Sequence, residues 1–109
     1  MDMNDLMRQM GRMRKDMDAV SEELKERYVE AESGSGLIEV VLNGQQDLVK
    51  LTIDPKVVQP GSDGKVDIEL LEDLIVAAVS QGIEQSKALM REEMNKVTGG
   101  LGGAMPGLF

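Results

Sequence analysis

The sequence predicts an α+β fold in which a long N-terminal helix, a three-stranded antiparallel meander and a long C-terminal helix follow one another, paired as a homodimer. Three observations carry that reading. Met3, Leu6, Met10, Met13, Met17, Val20 and Leu24 recur at alternating spacings of three and four, as in a coiled-coil seam. Two runs on either side of Asn43-Gly44 alternate apolar and polar residues in period two. Beyond Asp67 the apolar residues return at helical spacing until Gly99-Gly100.

The first helix is expected over about residues 3–28. At ~1.5 Å per residue it would reach roughly 39 Å, more than the width of a compact globule built from a chain this short. The monomer cannot cover such a seam alone, so the C-terminal helix, a second copy or both must lie along it. Gly11 interrupts the pattern on its outward side, at a cost of about 1 kcal/mol in propensity. Met10, Met13, Met17 and Val20 are therefore expected in the core or dimer interface.

Strands are expected at about 28–33, 37–42 and 48–53, joined by Gly34-Ser35-Gly36 and Asn43-Gly44. Ile38, Val40 and Leu42 share one face of the second strand, and Val49, Leu51 and Ile53 one face of the third. Ile38, Val40, Leu51 and Ile53 are placed in the core. Leu37, Val41 and Leu48 make the opposite face unusually apolar, which again favours a covering helix or a partner's sheet. Asp54-Pro55 closes the third strand, and Gln59 to Gly64 read as a solvated loop.

Asp67 suits the N-cap of the last helix, about 67–98, with Glu69 complementing the helix dipole. Ile68, Leu71, Leu74, Ile75, Ala78, Val79 and Ile83 form a broad apolar stripe that Met90, Met94 and Val97 continue more thinly. Gly82, within the stripe, suggests the close approach of another backbone. Residues 1–98 then form one domain, and 99–109 a Gly-rich flexible tail whose Leu101, Met105, Leu108 and Phe109 could dock in a groove.

Composition narrows the function. The chain has neither cysteine nor histidine, so disulfides, thiolate metal sites and the usual proton-transfer residue are all missing. Adjacent carboxylates such as Glu72 with Asp73 point about 100° apart on a helix and do not pair for acid-base work. Asp63-Gly64 lacks the ligand alternation of a calcium loop, and Gly34-Ser35-Gly36 lacks the lysine of a phosphate cradle. The expectation is a protein without catalytic residues, metal, cofactor or small-molecule substrate. Neither a basic apolar leader nor a membrane-length apolar run is present, the longest such run being Leu74 to Val79, which is the expectation for a soluble cytoplasmic chain without a membrane partner.

The net charge of -8 opposes a polyanion partner on the crudest reading, but its distribution is uneven. Arg8, Arg12, Arg14 and Lys15 stand together without an intervening acid, whereas Asp16 to Glu32 hold seven acids against Lys25 and Arg27. Arg8, Arg12 and Lys15 lie three and four residues apart on the side away from the seam, with Arg14 at its flank. Lys87 and Arg91 are one turn apart on the last helix.

The order of elements resembles that of the YbaB/EbfC family. So do Gly34-Ser35-Gly36-Leu37 opening a strand, Val41-Leu42-Asn43-Gly44 at its turn, Ile53-Asp54-Pro55 closing the sheet, and Leu71-Glu72-Asp73-Leu74-Ile75 in the last helix. Pro106-Gly107-Leu108-Phe109 is similar to the family's ending. The resemblance implies a bacterial, cytoplasmic, nucleoid-associated protein that binds duplex DNA as a tweezer-like homodimer, with the sheets joined at the centre. Arg8, Arg12, Arg14, Lys15, Lys87 and Arg91 would then be the DNA-binding residues. A methionine-rich seam between two long helices also suits a different class, a dimeric prefoldin-like holdase or protein-interaction adaptor.

Overall fold

The computed structural model describes residues 2–99, and the expectations for residues 100–109 lie outside them. Helix α1 runs Met3–Leu24, strands β1, β2 and β3 run Tyr28–Ser33, Ile38–Asn43 and Leu48–Ile53, a short 3-10 turn covers Pro55–Val58, and helix α2 runs Ile68–Thr98. The sheet order is β1-β2-β3, antiparallel throughout, as a meander requires.

Each helix begins where a carboxylate satisfies a free backbone donor. The Asp2 side chain accepts from the Asp5 N–H at 2.8 Å, and that of Asp67 from the Leu70 N–H at 3.0 Å. Gly99, at φ 57°, caps α2 in the left-handed region that glycine enters without a Cβ penalty.

Helix α1 stops four residues short of the expected Tyr28. Its end tightens: the N–H groups of Lys25, Glu26 and Arg27 bond three residues back, to Glu22, Glu23 and Leu24. The Leu24 carbonyl also receives the Gly44 N–H at 2.8 Å, so the chain leaves the helix to meet the sheet. A tertiary hydrogen bond, which helical periodicity does not encode, sets this boundary. The second strand likewise begins at Ile38, one residue later than expected, because the Leu37 N–H closes the turn onto Gly34.

The core is one-sided. Ile38, Val40 and Leu42 are almost fully buried, together with Ala31, Val57 and Ala78, and Leu71, Leu74, Ile75, Val79 and Ile83 of α2 pack around them. α2 lies across β1 and β2, and its contact with β3 is slight. Leu51 and Ile53 pair with Val40 and Ile38 and so lie on the core face as expected, yet they remain 39% and 38% exposed. Having the right face did not bury them, since among the described residues α2 covers β1 and β2 and leaves the β3 edge largely open. An irregularity between Val41 and Leu42 sets Leu48 opposite Leu42 and leaves Val49 outside the regular pairing, 55% exposed.

The other face of the sheet is more polar than expected. Glu30, Glu32, Glu39, Lys50 and Thr52 surround Val41, and Leu37 turns in to pack against the core instead. Among the described residues, no three carboxylates are grouped so as to hold a metal ion.

Gly82 is buried because α2 approaches β2 closely, although what meets it is a side chain and not the expected backbone. A Cβ there would collide with Leu42 and come within 3.2 Å of Val40. Gly11 faces open space. Substituting alanine should therefore act in opposite directions: Gly11→Ala should stabilise by about 0.5–1 kcal/mol through helix propensity. Gly82→Ala should destabilise by about 1–2 kcal/mol, because overpacking outweighs the same gain. Urea unfolding of both variants measures the signs, and equal signs would contradict the close approach.

Candidate nucleic-acid interface

Residues 2–99 extend 75 × 24 × 16 Å, because both helices run past the sheet. The C-terminal part of α2 packs along the C-terminal half of α1, forming one arm. Exposure follows that overlap. Leu24 is 1% exposed and Val20, Met17 and Met13 are half-buried, whereas Met10 is 63% and Met3 72% exposed, with Leu6 and Met7 also open. The seam is continuous in sequence, but α2 covers only the half nearest the sheet.

The charges follow the same division. Four of the arm's cations have carboxylate partners: Lys25 with Glu22 at 3.0 Å, Arg27 with Glu93 at 3.5 Å, Lys96 with Glu93 at 2.9 Å, and Lys87 with Glu84 at 3.9 Å. Among the described residues no ion pair engages Arg8, Arg12, Arg14, Lys15 or Arg91, and all five are exposed. The stretch of α1 from Arg8 to Lys15 thus carries four cations without an ion pair among the described residues, with Asp5 and Gln9 beside Arg8 and Arg12. Lys87 and Arg91 stand apart from them on α2, one turn from each other and close to the sheet, where Lys87 is partly neutralised.

Glu93 ties the arm together, a role its position beside Glu92 did not reveal. Among the described residues it is the one acid shared between two cations from different elements, Lys96 on α2 and Arg27 after α1. The hydrogen bond from Lys96, and then the charges of Lys96 and Arg27, hold its carboxyl below the ordinary carboxylate value, against the opposing effect of partial burial.

A polar cluster at the base of the arm also went unseen in the sequence. Ser86 is fully buried; its hydroxyl donates to the Asn43 carbonyl at 2.6 Å and accepts from the Gln46 N–H and Gln46 Nε2, each at 3.0 Å. Gln45 Nε2 donates to the carbonyl and, at 3.2 Å, to the hydroxyl of Ser21 on α1. One signal could have found it: Ala78, Gly82 and Ser86 are small residues four apart on α2, the mark of a close crossing, and the last is polar.

Because the native Glu93 carboxyl titrates below its unfolded value, its contribution is present above the unfolded value and is lost as pH falls through the native one. Acidification should loosen the helix pair there, and Glu93→Gln should make the acid limb of a helicity titration shallower. An identical acid limb in the variant would remove Glu93 from the tie.

Comparison with known proteins gives the geometry its context. The family model described as the YbaB/EbfC DNA-binding family matches residues 1–101. A protein of Acetivibrio thermocellus named nucleoid-associated protein is 45% identical over 106 residues, covering 97% of this chain and 88% of its own length. One from Anaeromyxobacter dehalogenans with the same description is 44% identical over 108 residues, covering 99% and 98%. In fold, the chain is similar to the crystal structure of an uncharacterized protein from Helicobacter pylori. The TM-score is 0.71 with 24% identity, over 84% of this chain and 91% of that one. With helix, meander and helix in the same order and a family match running nearly from end to end, this chain belongs to the YbaB/EbfC DNA-binding family.

Proposed function

We propose that the chain is a nucleoid-associated protein of the bacterial cytoplasm that binds duplex DNA as a homodimer, through the basic stretch Arg8 to Lys15 of α1, and so influences nucleoid organisation and gene expression. The observation that carries this reading is the pairing of the arm's charges. Lys25, Arg27, Lys87 and Lys96 are answered by carboxylates, while among the described residues Arg8, Arg12, Arg14 and Lys15 on the projecting helix, and Arg91 on α2, have no ion-pair partner. Such a row can replace counterions on a phosphate backbone, a gain that does not depend on base sequence. Arg91 and Lys87 would add contacts nearer the sheet. No cofactor or catalytic group enters the reading.

The net charge of -8 does not oppose it, because screening limits the reach of the acidic sheet. The Debye length is about 8 Å at physiological salt, and the outer cations stand further than that along the arm. A homodimer is supported by apolar surface that the single chain leaves open. Val49, Leu51 and Ile53 on β3, and Val76 on α2 at 63% exposure, are more than an isolated soluble chain normally shows. A patch that covers itself through a two-fold axis is the simplest closure.

The exposed Met3, Leu6, Met7 and Met10 favour a second reading, a holdase or adaptor that grips an apolar client. The two readings part on salt. Anisotropy titration of labelled duplex DNA should show affinity falling steeply with salt. Removing Arg8, Arg12 and Lys15 together should lower the slope by about 0.9 per lost contact. A control change of Lys25, Lys50 and Lys65 should leave the slope alone. Equal losses in both variants would move the interface elsewhere, and suppression of client aggregation without DNA binding would favour the holdase.

The dimer has its own check. Sedimentation should give about twice the chain mass at micromolar concentration, and Leu51→Asp should shift it towards the monomer, since a buried unpaired charge costs several kcal/mol. A wild-type monomer would refute the assembly.

A further inference from the structure

We propose that the β2–β3 turn, Asn43 to Asp47, is the joint that fixes the direction of the arm, with Ser86 as its positioning residue. The functional half of this proposal rests on the DNA-binding reading above; the mechanical half does not.

The joint holds both helices of the arm at once. On the α2 side, the buried Ser86 hydroxyl uses its whole hydrogen-bonding capacity on the turn, donating once to Asn43 and accepting twice from Gln46. On the α1 side, the turn satisfies carbonyls at the helix end, where intrahelical partners run out. Gln45 Nε2 reaches Ser21, and the Gly44 N–H is shared by the carbonyls of Leu24 and Arg27, both at 2.8 Å.

The turn itself is braced from within. The Asn43 side-chain oxygen accepts from the N–H groups of Gln45 at 2.9 Å and Asp47 at 3.1 Å, and its amide donates to the Asp47 carboxylate at 3.1 Å. Gln46 sits at φ 65°, a left-handed conformation held by its bonds to Ser86 and to the Gly44 carbonyl.

No slack is left at the contact. A Cβ on Gly44 would stand 2.7 and 2.9 Å from the Leu24 side chain and 2.9 Å from its carbonyl oxygen. The arm therefore cannot pivot at its base without breaking these hydrogen bonds, which would leave the buried Ser86 hydroxyl and Gly44 N–H without partners. The direction of the arm decides where Arg8 and Arg12 stand relative to the sheet. From Ser21 to Gln9 the lever is about 18 Å, so a swing of 15° displaces the outer cations by about 5 Å.

The test is a distance. The chain has no cysteine, so spin labels at Gln9→Cys and Thr52→Cys report the arm against the sheet. Diluting the labelled chain with an excess of unlabelled chain leaves only intrachain distances, whether or not the protein is a dimer. The unsubstituted background should give one narrow distribution. Ser86→Ala and, separately, Gln45→Ala should each at least double its width, while Ser80→Ala, at an exposed position of the same helix, should leave it unchanged. Gln45→Ala keeps the α2 ties, so it decides the case if Ser86→Ala fails to fold.

In DNA titration Ser86→Ala should weaken binding several-fold with an unchanged salt slope, since it removes no phosphate contact; loss of the basic row alters the slope instead. Unchanged distributions in both joint variants would overturn the joint. A broadened distribution with unchanged affinity would overturn the positioning role. Absence of DNA binding by the unsubstituted protein would overturn the DNA reading alone, leaving the distance measurement to judge the joint.

Discussion

How closely α2 lies across β2 governs the rest of this molecule. Ala78, Gly82 and Ser86 present a narrow buried strip to the sheet, and the absent side chain of Gly82 is the room that Leu42 fills. The close crossing buries Ile38, Val40 and Leu42 almost completely, an efficient use of a chain with one tyrosine and one phenylalanine. It also commits α2 to β1 and β2. A single helix, about 10 Å wide, cannot cover three strands spaced ~4.8 Å apart when centred over the first pair. β3 is left with its core face open, so the apolar surface that favours a partner follows from the contact that makes the core.

The same crossing generates the arm. α2 has 31 residues, and its first half is spent on the sheet before Ser86 meets the β2–β3 turn. The remainder has no sheet beneath it and finds α1 instead, covering Val20, Met17 and Met13 until Gly99 ends it. Beyond that point α1 continues alone, with methionines on one side and arginines on the other. A helix exposed all round is stabilised by little but propensity and caps, and here the Asp2 cap and the straight-chain methionines and arginines supply both.

Charge is arranged so that a strongly acidic chain can hold a basic surface. Glu22, Glu84 and Glu93 answer Lys25, Lys87, Lys96 and Arg27 and serve the structure, Glu93 by joining two elements. Arg8, Arg12, Arg14 and Lys15 have no partner among the described residues. Distance along the arm screens Arg8 and Arg12 from the acids of the sheet at physiological salt, because exposed charges beyond a Debye length scarcely feel each other, while Asp5 and Asp16 stand beside the row itself. Total charge says little about such a molecule; position along the arm says more.

The sequence by itself determined the helices and strands, their order, the core face of Ile38, Val40, Leu42, Leu51 and Ile53 and the polarity of the first helix, but not the sides taken by Leu37 and Leu48. These are local properties: Asp2 and Asp67 beside helical runs, Asn43-Gly44 between alternating runs, and arginines at positions 8, 12 and 14 ahead of the acids that follow. The family resemblance was legible for the same reason, as a succession of turn and cap motifs. What only the tertiary structure decided depends on where one element ends against another. Leu51 and Ile53 had their face from the period of two, but their exposure depended on how far α2 reaches across the sheet. Helix α1 ends at Leu24 because Gly44, twenty residues later, donates to its carbonyl. Ser86 reads as an ordinary helical serine until the turn closes on it. Periodicity reports which way a side chain points; whether anything meets it there is settled by the packing of segments far apart in the chain.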